Sequence, residues 1–258
     1  MFVCYTDERI GCYVDSMCLS DVRIFIKFAD DMALVARLKD EISLSVYFDF
    51  ISKIVDWFHE SFLILNITKT KELCLESKRA TDPSLLRPVQ IRSEKVEQVD
   101  SFKYLGVTID DNLTFSNHVS TILKKSNQRL YLLRKLRSFN VRSHVLSMVY
   151  KSIVESILSF SIVSWYGYLR VKDKSKLNRI VREATKITGK PQKSLQEIYM
   201  TFTKKKARKI MSDTTHPLHS AFVVLRSGRR LRPPMCKRNL LRFSFVCNAV
   251  AFLNRDGI

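Results

Sequence analysis

Asp30 and Asp31 are neighbouring carboxylates in a position where apolar segments on both sides predict a tight turn. Two like charges side by side repel each other, and a bound cation relieves that repulsion. Hard carboxylate oxygens suit Mg²⁺. Two Mg²⁺ ions held in this way can stabilise the attacking and the leaving oxygen of a phosphoryl transfer. Ordinary turn chemistry is the alternative, because aspartate favours turns with or without a metal.

The segments around this pair predict a β-hairpin followed by a long helix. Residues 21–28 and 32–37 have the composition and alternation of strands, with residues 29–31 as the turn between them. Apolar residues recur at helical spacing over 41–62, which predicts an amphipathic helix packed on a sheet. A strand over 72–76 and one or two strands over 96–109 complete a β-α-β-β order.

Beyond Thr114 the apolar pattern becomes helical and remains so. Long helices are predicted over 118–139, 144–168 and 172–187, and shorter ones over 195–202 and 204–211. Residues 212–235 are rich in Pro, Gly and Arg, which predicts an irregular segment. The fold class that follows is α+β.

Charge is divided very unevenly along the chain. Residues 1–120 carry 14 basic and 19 acidic side chains, a net charge of −5, whereas residues 121–258 carry 30 basic and 6 acidic ones, a net charge of +24. A strongly basic half indicates a polyanionic partner, and nucleic acid, both RNA and DNA, is the leading candidate. An anionic membrane surface and a merely soluble basic surface are the weaker alternatives.

Three groups of cations are the candidate nucleic-acid contacts. On the first predicted helix of the basic half, apolar residues share one face and cations occupy the others. Each phosphate contact made by such a helix would release counterions and give salt-sensitive binding without sequence preference. Two further clusters, within 203–209 and 226–232, fit nucleic-acid binding, a nuclear localisation signal or a plain solvated face. The candidates are Lys124, Lys125, Arg129, Arg134, Lys135, Lys204, Lys205, Lys206, Arg229 and Arg230.

The remaining features point to an intracellular protein. Six cysteines lack C-x-x-C and zinc spacing, which predicts reduced thiols, and the first residues lack the pattern of a signal peptide. The apolar stretch 145–169 is interrupted by Lys151 and Glu155, so we expect a buried helix of a soluble protein and no membrane partner. Its aromatic residues could stack on bases, but core packing is the favoured interpretation. The expected location is the nucleus or the cytoplasm.

Several motifs occur in a fixed order. Phe28-Ala-Asp-Asp31 resembles the Y/F-x-D-D signature of reverse transcriptases. Leu65-Asn66 with Lys69-Thr-Lys71 is similar to an L-N-x-x-K-T-K segment, and Phe102-Lys-Tyr-Leu-Gly106 with Val107-Thr-Ile-Asp110 is similar to F-K-Y-L-G-V-x-I-D. Together they resemble the RNA-directed DNA polymerases of non-LTR (LINE-type) retrotransposons over roughly residues 1–255.

The resemblance implies a role for each matched residue. Asp30 and Asp31 would be the catalytic, Mg²⁺-binding carboxylates of the polymerase palm. Lys69 and Lys71 would lie near the phosphates of the incoming nucleotide, although a solvated turn explains them equally well. Phe102, Lys103, Tyr104, Leu105 and Gly106 would form the primer grip. Gly106 fits this role because glycine inside a strand often marks a close approach of the backbone.

One departure from the family's pattern is large. The family's first catalytic aspartate lies on a strand well upstream of the hairpin, whereas 29 residues precede Asp30. Asp7, Glu8, Asp15 and Asp21 are the carboxylates available there, and none has the apolar strand context of the family. We therefore expect a truncated fragment that binds nucleic acid but does not polymerise alone. Whether it counts as an enzyme is left open.

The expected domains follow the same resemblance. Residues 1–113 would be a truncated palm with primer-grip-like strands, 114–211 a basic, all-helical thumb-like domain, and 212–258 a basic and partly irregular C-terminal segment.

Residues 120–159 carry a second, shorter resemblance, to the N-terminal extension of AlkB-type tRNA-modifying oxygenases and methyltransferases. The iron-binding H-x-D or H-x-E motif of that enzyme class is absent from the sequence, so its catalytic activity does not carry over. The alternative function is thus a non-catalytic RNA-binding helical module.

Overall fold

A computed structural model describes residues 2–5, 23–75, 87–236 and 239–256 of the chain. The chain divides into two compact units, Met1–Leu113 and Thr114–Ile258. The first combines small sheets with one long helix and the second is almost entirely helical. The prediction of an α+β protein is confirmed. Asp7, Glu8, Asp15 and Asp21 lie outside the described residues.

The first unit is built on a five-stranded sheet of β1 (Phe2–Tyr5), β2 (Arg23–Phe28), β3 (Asp31–Arg37), β4 (Lys71–Leu75) and β7 (Glu97–Gln98). The order of the strands across the sheet is β2-β3-β1-β4-β7. Strands β2 and β3 pair antiparallel, as the predicted hairpin requires, while β1 lies between β3 and β4 and is parallel to both. Strand β7 extends the far edge, parallel to β4.

One face of the sheet packs against helix α1 (Glu41–Glu60). The helix begins with a capping box in which Asp40 accepts from the amide of Ser43 and the Ser43 hydroxyl accepts from the amide of Asp40. Its buried positions recur at helical spacing, so the predicted amphipathic helix is confirmed. The core of this unit joins strand, helix and loop residues, namely Leu34, Ala36, Leu38, Leu44, Tyr47, Ile51, Val89, Ile91 and Val96.

Two short hairpins follow the main sheet. Strands β5 (Gln90–Ile91) and β6 (Glu94–Lys95) form the first, and β8 (Ser101–Tyr104) and β9 (Val107–Asp110) form the second. The apolar segment predicted as one or two strands is therefore divided among three short strands. Strands β8 and β9, in the second half of this segment, form a separate two-stranded sheet.

The second unit consists of helices joined by short connections. Its longest helices are α2 (Ser116–Ser138), α6 (Val171–Thr188) and α7 (Leu195–Ser212). Helix α3 (Ser143–Tyr150) continues through a π-helical turn (Lys151–Glu155) into α4 (Ser156–Ser159), and α5 (Ile162–Trp165) follows after a break. The C-terminal elements are a 3₁₀ turn (His219–Ala221), α8 (Asn239–Arg242) and α9 (Phe245–Asp256).

Three of the helix predictions for the second unit are wrong. Residues 195–212 form one helix rather than two, because no break occurs near Thr203. The helix predicted over 144–168 is interrupted where Ser161 adopts a left-handed φ of 48°. Helix α9 was not predicted, and it packs against α7.

The stretch Ser143–Tyr168 is long and apolar enough to cross a membrane, judged by length and composition alone. The core helix of a soluble protein meets the same criterion. Leu146, Tyr150, Val154, Leu158 and Ile162, spaced by four residues along this stretch, are fully buried in the second unit.

Candidate functional site

The Asp30–Asp31 pair lies at the tip of the β2–β3 hairpin. Phe28 pairs with Asp31, which leaves Ala29 and Asp30 as a two-residue turn. Ala29 adopts a left-handed φ of 50°, a conformation that costs a non-glycine residue roughly 1–2 kcal/mol. Both carboxylates are exposed to solvent. Within the described ranges, no cluster of three or more His, Cys, Asp or Glu side chains could hold a metal.

Asp31 acts electrostatically on Tyr104, which lies on the β8–β9 hairpin of the same unit. Burial raises the pKa of Tyr104, and the negative charge of Asp31 raises it further. The Tyr104 hydroxyl is buried and has no hydrogen-bond partner in the part of the chain that the structure describes. The fold thus brings the tip of the Asp hairpin near the strand pair that contains the proposed primer grip, across 73 positions of sequence (104 minus 31).

The two lysines of the predicted phosphate contact differ in their surroundings. Lys71 lies on β4 opposite Glu97 of β7, and its ammonium forms an ion pair with that carboxylate. Lys69 is exposed at the end of the 3₁₀ turn Ile67–Lys69, where its backbone amide donates to Asn66 Oδ1 at 3.0 Å. Lys69 is therefore the more available cation of the two.

Residues 102–106 form one strand and the turn of the β8–β9 hairpin. Leu105 and Gly106 occupy the turn with φ values of 45° and 85°. The expectation that Gly106 lies inside a strand is wrong, because the glycine provides the left-handed turn conformation. Phe102 and Tyr104 are half-buried, whereas Lys103 is exposed opposite Thr108.

The five predicted cations of α2 separate into two groups. Lys124 and Lys125 are exposed, whereas Arg129 donates to the carbonyl of Ile153 at 2.9 Å. Arg134 pairs with Glu183 of α6 at 2.6 Å, and Lys135 lies 5.9 Å from the ring centre of Tyr131. Intramolecular contacts thus engage Arg129, Arg134 and Lys135, and Lys124 and Lys125 remain the open pair.

The other two cation clusters lie on different kinds of element. Lys204, Lys205 and Lys206 are on α7, where Lys205 is exposed and Lys206 lies 5.6 Å from the ring centre of Phe245. Arg229 and Arg230 are exposed in a tight turn between α7 and α9.

The aromatic residues of the apolar stretch belong to the core. Trp165 and Tyr166 are 0% and 1% exposed, so the expectation of core packing is confirmed for them. The His118 ring packs edge-on against Trp165, with 5.2 Å between ring centres. Burial, with the nearby charge of Lys125, lowers the pKa of His118 to about 4, so this histidine is neutral at physiological pH.

Glu183 is the residue that the sequence-based search missed. Its carboxylate accepts from Arg179 at 3.2 Å as well as from Arg134. The four-residue spacing of Arg179 and Glu183 on one helix is a readable signal for an ion pair. The ion pair with Arg134 joins two helices, so no short-range spacing in the sequence indicates it.

Comparison with known proteins gave one family match and several curated relatives. The sequence profile of the family described as "Alkylated DNA repair protein alkB homolog 8, N-terminal" matches residues 115–156. The chain is 31% identical over 162 residues to "Probable RNA-directed DNA polymerase from transposon X-element" of Drosophila melanogaster. It is 27% identical over 157 residues to "Probable RNA-directed DNA polymerase from transposon BS" and 23% identical over 173 residues to "RNA-directed DNA polymerase from mobile element jockey", both of that organism.

These alignments cover 59%, 59% and 64% of this chain but 17%, 17% and 18% of the relatives. The chain therefore spans about a sixth of the curated proteins that it matches. No solved structure matches significantly. The resemblance to retrotransposon RNA-directed DNA polymerases and the AlkB-like segment are both confirmed as similarities of sequence.

Proposed function

We propose that the chain supplies the C-terminal part of the palm and the thumb of an RNA-directed DNA polymerase of the non-LTR class. Its role is to bind RNA and DNA inside the cell, and it does not polymerise alone. The supporting observation is the exposed Asp30–Asp31 pair beside the strained turn residue Ala29, together with the electrostatic effect of Asp31 on Tyr104 of the β8–β9 hairpin. Strained turns of this kind are concentrated at functional sites.

The Asp30–Asp31 pair fits a Mg²⁺ ion of the kind that polymerases bind. Mg²⁺ is usually held by one or two carboxylates together with substrate phosphates and water. Two exposed carboxylates at a hairpin tip supply the protein's share of that set. When bound, the ion would neutralise developing charge on a reacting phosphate. Lys69 would bring a positive charge to the same phosphates, while Lys71 stabilises the sheet through its ion pair with Glu97.

The second unit would hold the nucleic-acid backbone. Its 30 basic side chains outnumber its 6 acidic ones, which leaves a net charge of +24, and Lys124, Lys125 and Lys205 are exposed on its helices. Contacts of this type give affinity without base selectivity, because they are made to phosphates.

A salt titration of the full-length chain tests nucleic-acid binding. Filter binding to a labelled DNA duplex, repeated at several salt concentrations, gives the slope of log affinity against log salt. Contacts to about six phosphates predict a slope of about −5. A slope near zero would overturn the proposed function.

Metal binding is tested separately with Mn²⁺, which replaces Mg²⁺ and is detected by electron paramagnetic resonance. The wild-type chain in complex with duplex should bind Mn²⁺ more tightly than the Asp30→Asn/Asp31→Asn variant. Asp40→Asn/Asp49→Asn is the control of equal charge, since both of these carboxylates lie away from the hairpin on or next to α1. Equal Mn²⁺ affinity in the wild type and the hairpin variant would overturn the metal assignment.

A non-catalytic RNA-binding helical module is the second candidate. The observation that favours it is the family match over residues 115–156, which covers α2, α3 and the whole π-helical turn. Salt-dependent binding of RNA, together with no contribution of Asp30 and Asp31 to Mn²⁺ binding, would favour this candidate over the polymerase palm.

A further inference from the structure

The arginine-rich segment between α7 and α9 is a folded hairpin rather than an irregular loop. We call residues Val223–Arg232 the arginine hairpin. Val224 and Leu231 form an antiparallel bridge. The Leu225 amide donates to the Arg230 carbonyl at 2.8 Å, and the Arg232 amide donates to the Val223 carbonyl at 2.7 Å. At the tip, Gly228 adopts a left-handed φ of 69° and its amide donates to the Leu225 carbonyl at 2.8 Å.

The side chain of Asn254 on α9 clamps the arginine hairpin to the helical unit. Its Oδ1 accepts from the Leu231 amide at 2.8 Å and its Nδ2 donates to the Leu231 carbonyl at 3.0 Å. The Leu231 side chain is fully buried. Leu231 thus anchors the hairpin to the helical unit through its buried side chain and through its backbone amide and carbonyl, which both bind Asn254.

The clamp leaves four guanidinium groups directed to solvent. Arg226, Arg229, Arg230 and Arg232 are all exposed. A Cβ added to Gly228 would meet no atom within 4 Å, so the space beside the tip is open. Residues 214–255 contain eight Lys and Arg residues and no Asp or Glu. No carboxylate side chain within this stretch of sequence is available to form an ion pair with the four arginines.

We propose that the arginine hairpin is a preorganised phosphate-binding element that contacts the nucleic-acid backbone, with Asn254 as its positioning residue. The proposal rests on the proposed function and assigns it a specific surface. Arginine presents a planar fork of N–H donors that matches two phosphate oxygens at once. A loop that is already ordered loses less conformational entropy on binding than a flexible one.

A nuclear localisation signal is the competing assignment for these arginines. A receptor that reads an extended segment uses the main chain as well as the side chains. To extend, this segment would have to break the three hydrogen bonds of the hairpin, both Asn254 contacts and the burial of Leu231. The folded hairpin therefore favours phosphate binding.

Duplex binding by the full-length chain tests the proposal. Arg229→Ala/Arg230→Ala should flatten the slope of log affinity against log salt by about 2, since each lost phosphate contact removes about 0.9. Arg170→Ala/Arg182→Ala removes the same charge from two exposed positions of the same unit and should leave the slope close to the wild-type value. Arg229→Lys/Arg230→Lys keeps the charge and should largely restore the slope.

Asn254→Ala tests the clamp while all four arginines remain. We expect severalfold weaker duplex binding, together with faster hydrogen exchange at the Leu225 and Arg232 amides and unchanged exchange in α6. Unchanged binding despite faster exchange would overturn the positioning role.

The outcomes separate this inference from the function on which it rests. A wild-type slope near zero overturns nucleic-acid binding as such. A steep wild-type slope that Arg229→Ala/Arg230→Ala does not change overturns the arginine hairpin alone. If that variant also loses binding to a nuclear-import receptor, the cluster is a targeting signal.

Discussion

Single residues decide how much of the positive charge is available to a ligand. Glu183 accepts hydrogen bonds from Arg134 and Arg179 at once, and its side chain is 27% exposed. Lys71 is paired with Glu97 in a similar way across two strands. The cations could be found from the sequence, but their partners could not, because Arg134 and Glu183 are separated by 49 positions.

His118 is expected to make stability depend on pH. Its pKa of about 4 in the folded chain lies below the ordinary value of 6.5, so between these values the unfolded chain binds the proton and the folded chain does not. The free energy of unfolding should therefore fall as the pH drops from about 6.5 towards 4, by about 2–3 kcal/mol. Urea unfolding at several pH values measures this loss.

The control for this prediction is His118→Phe, which keeps a ring against Trp165 and cannot be protonated. Carboxylates contribute the same acid sensitivity to both proteins, so the difference between them isolates the histidine. If the wild type and the variant lose stability in parallel over this pH range, His118 is not the cause.

Gly167→Ala should destabilise the second unit. A Cβ at this position would lie 2.4 Å from the carbonyl oxygen of Phe243 and 2.8 Å from the hydroxyl of Tyr199. Because one of these neighbours is backbone, the overpacking should cost about 1–3 kcal/mol in denaturant unfolding. Gly228→Ala, which has open space but a left-handed φ, should cost about 1 kcal/mol. A larger loss for Gly228→Ala would contradict the packing argument.

At the scale of elements, hydrophobic periodicity predicted most of the fold. The β2–β3 hairpin and α1 follow from it, and so do α2 and α6, because most of the buried residues of these helices are apolar. Helix α7 was predicted as two pieces because its central buried positions are Thr203 and Ala207, which give a weak apolar signal. Helix α9 was missed although Val246, Ala249, Val250 and Leu253 recur at helical spacing.

The π-helical turn could not be predicted from periodicity. A four-residue spacing of buried side chains, as in 146, 150, 154 and 158, drifts around a regular α-helix by about 40° at each step. The wider π turn at Lys151–Glu155 offsets that drift and keeps these four side chains on the buried face. Arg129 donates to the Ile153 carbonyl within this turn, so one predicted nucleic-acid contact has a structural role.

Two double variants that remove equal charge should separate the open cations from the paired ones. Lys124→Ala/Lys125→Ala should flatten the salt slope of duplex binding by up to about 2 and leave stability nearly unchanged. Arg134→Ala/Arg179→Ala should change the slope by less than about 1. It should also lower the free energy of unfolding by about 1–2 kcal/mol, because Glu183 loses both partners. The reverse pattern would show that the ion pairs open when nucleic acid binds.

On the scale of the whole molecule, the two units have opposite net charge. The first carries −5 and the second +24, since residues 114–120 contain no Asp, Glu, Lys or Arg and so the totals up to residue 120 are those of Met1–Leu113. The sequence alone yields this division. The electrostatic effect of Asp31 on Tyr104 could not be predicted from the sequence, because it depends on how two hairpins pack within one unit.

The purified chain should show no primer extension with an RNA template, Mg²⁺ and deoxynucleotides. The proposed metal site holds two carboxylates, Asp30 and Asp31, and no third His, Cys, Asp or Glu side chain joins them in a metal-binding cluster among the described residues. Incorporation of radiolabelled nucleotide measures the activity. Incorporation that Asp30→Asn abolishes would show that the chain polymerises and that this carboxylate takes part.

Strand β1 affects the order in which the first unit can assemble during synthesis. It lies between β3 and β4, pairing with residues 34–37 on one side and 72–75 on the other. The ribosome therefore releases a strand whose two neighbours emerge some 30 and 70 residues later. Until then its backbone polar groups have no partner in the final sheet, and non-local pairing of this kind slows folding and exposes chains to aggregation. The exposed Asp30–Asp31 tip would thus be formed as a local hairpin before the sheet that supports it is complete.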